Sequence, residues 1–161
     1  MAELNSLTPT QDERVMAALS HASALIPVTG IIAPILIWMF QKDKSRYVAY
    51  QALQALAFQL VMIAAWFLGM GCYLCSTFSI YFPLFFIQSN PADGILLSLL
   101  SIFLPFLVFG IILLGGIVFI LYGLAGAVFT LQGKPFRYVI IGNRIERFLQ
   151  HQPEVSATGE E

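Results

Sequence analysis

Charged residues are almost missing from one long part of this chain. Asp93 is the single charged residue between Tyr47 and Gly133, a stretch of 87 positions. A water-soluble domain made from 161 residues cannot bury so much apolar surface in one core. The sequence therefore predicts an all-α integral membrane bundle whose main solvent is hydrocarbon.

Three apolar stretches are long enough to cross a bilayer. Residues 15–40 would make about 39 Å of helix, and the second stretch covers residues 47–74. Residues 95–131 would make about 55 Å, either as one helix hinged near Pro105 and Gly110 or as two short spans. We predict three transmembrane spans at these positions, with four or five helices as the alternative.

Local signals mark where the predicted helices begin and end. Thr10 and Glu13 have the spacing of a capping box, which starts the first helix. Pro27 and Gly30 predict a kink or a short break inside the first span. Gly133 suits the C-cap of the last one.

The two ends of the chain are predicted to lie outside the spans. Apolar residues recur at helical spacing after Gly133, which predicts an amphipathic helix on the membrane surface at residues 136–150. Residues 1–10 and 151–161 are polar and are predicted to be disordered tails, the second of them acidic. Residues 11–150 then form a single membrane domain.

The distribution of Lys and Arg predicts the orientation. With three spans and the N-terminus outside, the inner side carries seven of the eight basic residues and the outer side carries only Arg14. This arrangement follows the positive-inside rule, and it predicts a multi-pass protein of the inner cell membrane with a cytoplasmic C-terminus.

Polar residues inside the apolar stretches are the first candidates for function. Gln51, Gln54 and Gln59 lie within an arc of about 140° on a helical wheel, so this side should face protein rather than lipid. His21 is the ionisable residue of the first span, and such residues inside a membrane are candidates for function. These four residues form either a polar path or the hydrogen bonds that join neighbouring helices.

Small and basic residues make two further candidate surfaces. Gly116, Gly123 and Ala127 recur on one helical face and would permit close helix packing, within the chain or between copies. Arg137, Arg144 and Arg147 lie on the polar face of the predicted surface helix and suit anionic lipid headgroups. Cys72 and Cys75 are interpreted as packing residues, with a disulfide as the alternative.

Several classes of function lack their usual residues. The sequence contains no Ser-His-Asp set, paired carboxylates, phosphate-binding loop or metal motif. We therefore predict no catalytic residues, cofactor or metal, and not an enzyme. Long basic tracts are missing too, so nucleic acid is not expected as a partner. The expected partners are the lipid bilayer and its anionic headgroups, with other membrane proteins or a second copy.

Short segments spread over the chain resemble a known family. They are residues 12–21, Pro-Ile-Leu-Ile-Trp38, Lys-Asp-Lys44, residues 47–59 and Gly-Lys-Pro-Phe-Arg-Tyr138. Together they resemble the bacterial membrane family called domain of unknown function 4870, which is similar to Tic-type import proteins of the chloroplast inner envelope. The resemblance implies a small integral membrane protein, and its import relatives imply a channel or translocon component.

Two functional hypotheses follow. The first is a non-enzymatic membrane protein that acts by helix-mediated assembly, alone or in a larger complex. The second is a transport or translocation component whose polar path runs along Gln51, Gln54 and Gln59, with His21 contributing.

Overall fold

The computed structural model describes residues 8–85, 91–134 and 136–138, and within these residues it contains helices and no strands. The four α-helices are α1 (Gln11–Ala22), α2 (Ile32–Gln41), α3 (Arg46–Phe78) and α4 (Pro91–Leu131). Short 3₁₀ turns cover Ser23–Leu25, Thr29–Ile31 and Ser79–Phe85.

The start of α1 confirms the predicted capping box. The Thr10 hydroxyl accepts a hydrogen bond from the Glu13 amide, and the Glu13 carboxylate accepts one from the Thr10 amide at 2.8 Å. These bonds satisfy two backbone groups that a helix end otherwise leaves unpaired.

The predicted first span is not one continuous helix. The break falls where Pro27 and Gly30 indicated it, but it is complete, because Val28 has a φ of 65° and the Thr29 amide donates to the Pro27 carbonyl at 2.8 Å. These features describe a tight γ-turn. The helices on either side are 12 and 10 residues long, about 18 and 15 Å, so neither can cross a core of about 30 Å.

Two helices are long and apolar enough to span a membrane. The candidate spans are Arg46–Tyr81 and Gly94–Leu131. Only 22% and 6% of their most apolar windows are buried inside the protein, which is unlike the core helices of a soluble domain. Because α4 continues through Pro105 and Gly116, the single long helix is found and the pair of short spans is not.

The chain divides into two compact units. Unit 1 comprises residues 1–61 and 120–161, and its core consists largely of small and polar side chains. Ala17, Ala18, Ala24, Ala52 and Ala55 are buried there. Small residues let helices approach closely, as they do in membrane proteins.

Unit 2 comprises residues 62–119, the remaining parts of α3 and α4. Within it, Tyr73 and Phe109 have ring centroids 5.9 Å apart, and Gly69 lies against Ile112. Most of its large apolar side chains are exposed, among them Phe67, Leu68 and Phe106.

The chain leaves α4 through Gly133, whose φ of 75° is the conformation expected of a C-cap glycine. Residues 136–138 are not helical, so a surface helix cannot begin at residue 136. The rest of that predicted helix lies outside the described residues, as do residues 1–7 of the first predicted tail and all of the second, residues 151–161.

A buried polar cluster as the candidate functional site

His21 lies at the centre of a buried polar cluster in unit 1. Its Nε2 is 3.1 Å from Gln51 Oε1, and its Nδ1 is 3.0 Å from the Tyr138 hydroxyl. Because an amide oxygen only accepts, Nε2 carries the proton and Nδ1 accepts from the tyrosine. Both nitrogens of the neutral ring are therefore satisfied.

The side chain of Gln54 holds the segment that follows α4. Its Nε2 donates to the Phe136 carbonyl at 3.3 Å, and its Oε1 accepts from the Tyr138 amide at 3.0 Å. One amide side chain thus pairs with main-chain groups as a neighbouring strand would. Since Gln54 is buried, both bonds are protected from competing solvent.

Gln59 joins α3 to the break in the first apolar stretch. Its Nε2 donates to the Ser23 hydroxyl at 2.8 Å, and this hydroxyl donates to the Ser20 carbonyl at 2.8 Å. A Cβ added at Gly30 would lie 2.0 Å from the Ser23 carbonyl oxygen. Only glycine therefore fits where the two sides of the break meet.

Aromatic rings enclose the cluster. The rings of Phe58 and Tyr138 are stacked, 4.3 Å apart and inclined by 9°. Tyr122 and Phe136 meet Tyr138 edge-on at 5.2 and 5.0 Å, and Phe136 meets His21 at 5.7 Å. Such contacts stabilise the arrangement beyond the area that they bury.

Part of the predicted small-residue face makes room for this cluster. A Cβ at Gly123 would lie 2.9 Å from the Cβ of Ala24, and one at Gly126 would lie 3.0 Å from His21 Nδ1. Ala127 is buried as well. Gly116 differs, because nothing lies within 4 Å of the corresponding position, so the predicted face is divided between two environments.

Burial and hydrogen bonds set the protonation states. Burial raises the pKa of Tyr138 far above 10, so its hydroxyl stays protonated. At the start of α1, a hydrogen bond from Ser45 lowers the pKa of Glu13, which keeps this carboxylate charged.

The other predicted residues are exposed where the structure describes them. Arg137 is exposed, whereas Arg144 and Arg147 lie outside the described residues. Cys72 and Cys75 are free, exposed thiols on α3, so the alternative of a disulfide is not found. No group of three His, Cys, Asp or Glu side chains with metal-binding geometry occurs in the part of the chain that the structure describes.

The arrangement of the three glutamines favours a structural role over a polar path. Gln51, Gln54 and Gln59 are 0–2% exposed, and each makes a hydrogen bond to a protein group. Gln51 Nε2 and the Tyr47 hydroxyl are the buried side-chain polar atoms that lack a hydrogen-bond partner among the described residues. The cluster therefore joins α1, α3 and the segment after α4.

Sequence reasoning missed Phe136, Tyr138 and Ser23 as members of this cluster. The two aromatic residues were assigned to a surface helix, although they follow directly after the C-cap glycine. The sequence held one signal that this segment packs back onto the helices, namely the aromatic residues Phe58 on α3 and Tyr122 and Phe129 on α4. No local periodicity connects positions so far apart in sequence.

The two long apolar helices and the polar, small-residue core of unit 1 define a small helical membrane protein. Residues 12–145 match the model of the magnetosome magnetite crystal formation protein family, MamF/MmsF. This match covers most of the chain, so the protein belongs to that family. No curated protein and no solved structure matches the chain.

The family match corrects the resemblance inferred from the short segments. The assignment to domain of unknown function 4870, and through it to Tic-type import proteins, was wrong, because the matching family is the magnetosome one. The error arose from segments such as Lys-Asp-Lys44, which many small membrane proteins can share because they mark a positive loop between apolar helices.

Proposed function

We propose that this chain is a non-enzymatic protein of the magnetosome membrane that takes part in magnetite crystal formation. The observation that carries the proposal is the family match over residues 12–145. The two candidate membrane spans agree with a membrane location. We further propose that the protein acts by assembling through its helices, with copies of itself or with other membrane proteins.

The distribution of polar groups supports assembly rather than catalysis. The imidazole, amide and hydroxyl groups of the cluster are bonded to one another, which leaves few to act on a substrate. In contrast, α4 presents an apolar surface with an unfilled notch at Gly116. A small residue on an exposed apolar helix face permits close approach of another helix.

We place the basic residues near the surface of the membrane. The exposed Arg137 lies six residues after the end of α4 at Leu131, and contact with anionic headgroups would be worth about 1 kcal/mol per basic residue. The same role is proposed for Arg144 and Arg147.

Deletion of the gene in a magnetite-forming host tests the role in crystal formation. We expect crystals of altered size or number by electron microscopy, restored by the wild-type gene. Wild-type crystals in the deletion strain, at normal abundance of the other magnetosome proteins, would contradict the proposal.

A second experiment tests assembly. Light scattering of protein purified in mild detergent should give a mass above that of one chain, and Gly116→Leu should lower it. Gly71→Leu is the matched control, because that position on α3 is equally open. A wild-type protein that is monodisperse as a monomer would contradict assembly of copies.

A further inference from the structure

The first apolar stretch folds back on itself. Gln41 Nε2, at the end of α2, donates to Met16 Sδ, near the start of α1, at 2.9 Å. The Ser45 hydroxyl donates to the Glu13 carboxylate at the same end. Gly30 packs against Ser23 at the opposite end. Residues 11–41 are therefore an antiparallel helical hairpin.

Contacts with α3 show how far this hairpin reaches. Glu13 meets Ser45, His21 meets Gln51, and Ser23 meets Gln59, in steadily increasing order along α3. From Ser45 to Gln59 an α-helix rises about 21 Å. The hairpin therefore extends about 21 Å along the direction of α3, which is about two-thirds of the thickness of a hydrocarbon core of about 30 Å.

Contacts with α4 give the same alignment. Gly123 lies against Ala24 near the tip, and Gly126 lies against His21. Gly133 lies against the Arg14 guanidinium near the open end of the hairpin. The end of α4 therefore lies beside the N-terminus of α1.

The outer surface of the hairpin suits lipid. Most of its exposed residues are large and apolar: Val15, Leu19, Leu25, Ile26, Val28, Ile32, Leu36, Met39 and Phe40. The exposed polar residues are Gln11 and Asp12 at the open end and Thr29 at the tip. At the tip, the Thr29 and Gly30 amides donate to the Pro27 and Ile26 carbonyls, and Pro27 has no amide hydrogen. These bonds satisfy two of the amides at the tip, as a turn at membrane depth requires, whereas the Val28 amide has no backbone partner among the described residues.

We propose that residues 11–41 form a re-entrant hairpin that enters and leaves the bilayer on one face, with its outer surface against the lipid acyl chains. The basic residues flanking the hairpin and following α4 then lie on that face: Arg14, Lys42, Lys44, Arg46, Lys134 and Arg137. By the positive-inside rule this face is cytoplasmic. The N-terminus is then inside, whereas the count based on three full spans put it outside.

Cross-linking distinguishes the hairpin from a straight span. In a Cys72→Ser/Cys75→Ser background, we expect Met16→Cys/Gln41→Cys to form an intramolecular disulfide in native membranes, seen as a shift in monomer mobility. In a straight helix these positions would be about 38 Å apart. Met16→Cys/Ile26→Cys is the control that should not cross-link. Two reactive thiols that fail to cross-link in the first pair would overturn the proposal.

Labelling with a membrane-impermeant maleimide gives an independent test. Single cysteines at Thr8 and Lys44 should react from the same side, and one at Ser79, after α3, should react from the other. The measurement uses the full chain in oriented vesicles. Labelling of Thr8 and Ser79 from a common side would overturn the proposal, whatever the outcome for magnetite formation.

Discussion

Units 1 and 2 use the same two long helices but differ in what is buried. Unit 1 buries His21, three glutamines and several alanines, and its polar groups bond to one another. In unit 2 the positions beside Gly71, Gly110, Gly115 and Gly116 are open, and most large apolar side chains are exposed. Specific structure in this membrane protein therefore arises from small and polar residues, because apolar ones are equally satisfied by lipid.

The sharpest test of this difference is one substitution made in each unit. Gly30→Ala in unit 1 should destabilise the protein by about 3 kcal/mol or more, because the new Cβ would lie 2.0 Å from a backbone oxygen. Gly110→Ala in unit 2 meets nothing within 4 Å and should be neutral or stabilise by up to about 1 kcal/mol. Thermal unfolding in detergent measures the change in stability of both variants. Equal changes would show that the two units do not differ in how tightly they are packed.

Loss of a polar group should matter more in unit 1 than in unit 2. Gln54→Leu leaves the Phe136 carbonyl and the Tyr138 amide unpaired, which should cost about 2 kcal/mol. Thr77→Val in unit 2 removes only a hydroxyl bonded to the Tyr73 carbonyl of its own helix, and should cost less than about 0.5 kcal/mol. The unfolding free energies of the two variants provide the comparison.

The smallest expected effect concerns the γ-turn. Val28→Gly should stabilise the protein by about 1 kcal/mol, since glycine adopts a φ of 65° without strain and the valine side chain is exposed. Val118→Gly in unit 2 is matched in exposure but lies in a helix, so it should destabilise by about 0.5 kcal/mol. The two substitutions should therefore change the free energy of unfolding in opposite directions. Destabilisation by Val28→Gly would contradict the inference that Val28 is strained in the γ-turn.

Local sequence signals located the helix ends but not the path of the chain. The capping box at Thr10 and the C-cap at Gly133 depend on neighbouring residues, so both could be read directly. Pro27 and Gly30 indicated a break, yet they do not encode its direction. The reversal at Val28 depends on contacts of the two helices with each other and with α3, and the count of apolar residues alone suggested a full span.

The candidate site was also predicted only where it depends on local sequence patterns. The arc of Gln51, Gln54 and Gln59 indicated which side of α3 packs against protein, because helical spacing is a local property. Their partners lie up to 84 residues away, and no periodicity identifies Tyr138 as the partner of Gln54 and His21. Gly116 and Gly123 look alike in the sequence. They differ in the structure, because Ala24 packs against Gly123 and nothing packs against Gly116.

Gln54 recognises main-chain atoms of the segment after α4 and no side chain. Phe136 and Tyr138 are fixed by their ring contacts, but the side chain of Arg137 between them is exposed. The anchor therefore holds this segment through its main chain and its two aromatic rings, so the direction in which the chain leaves α4 is set by α3.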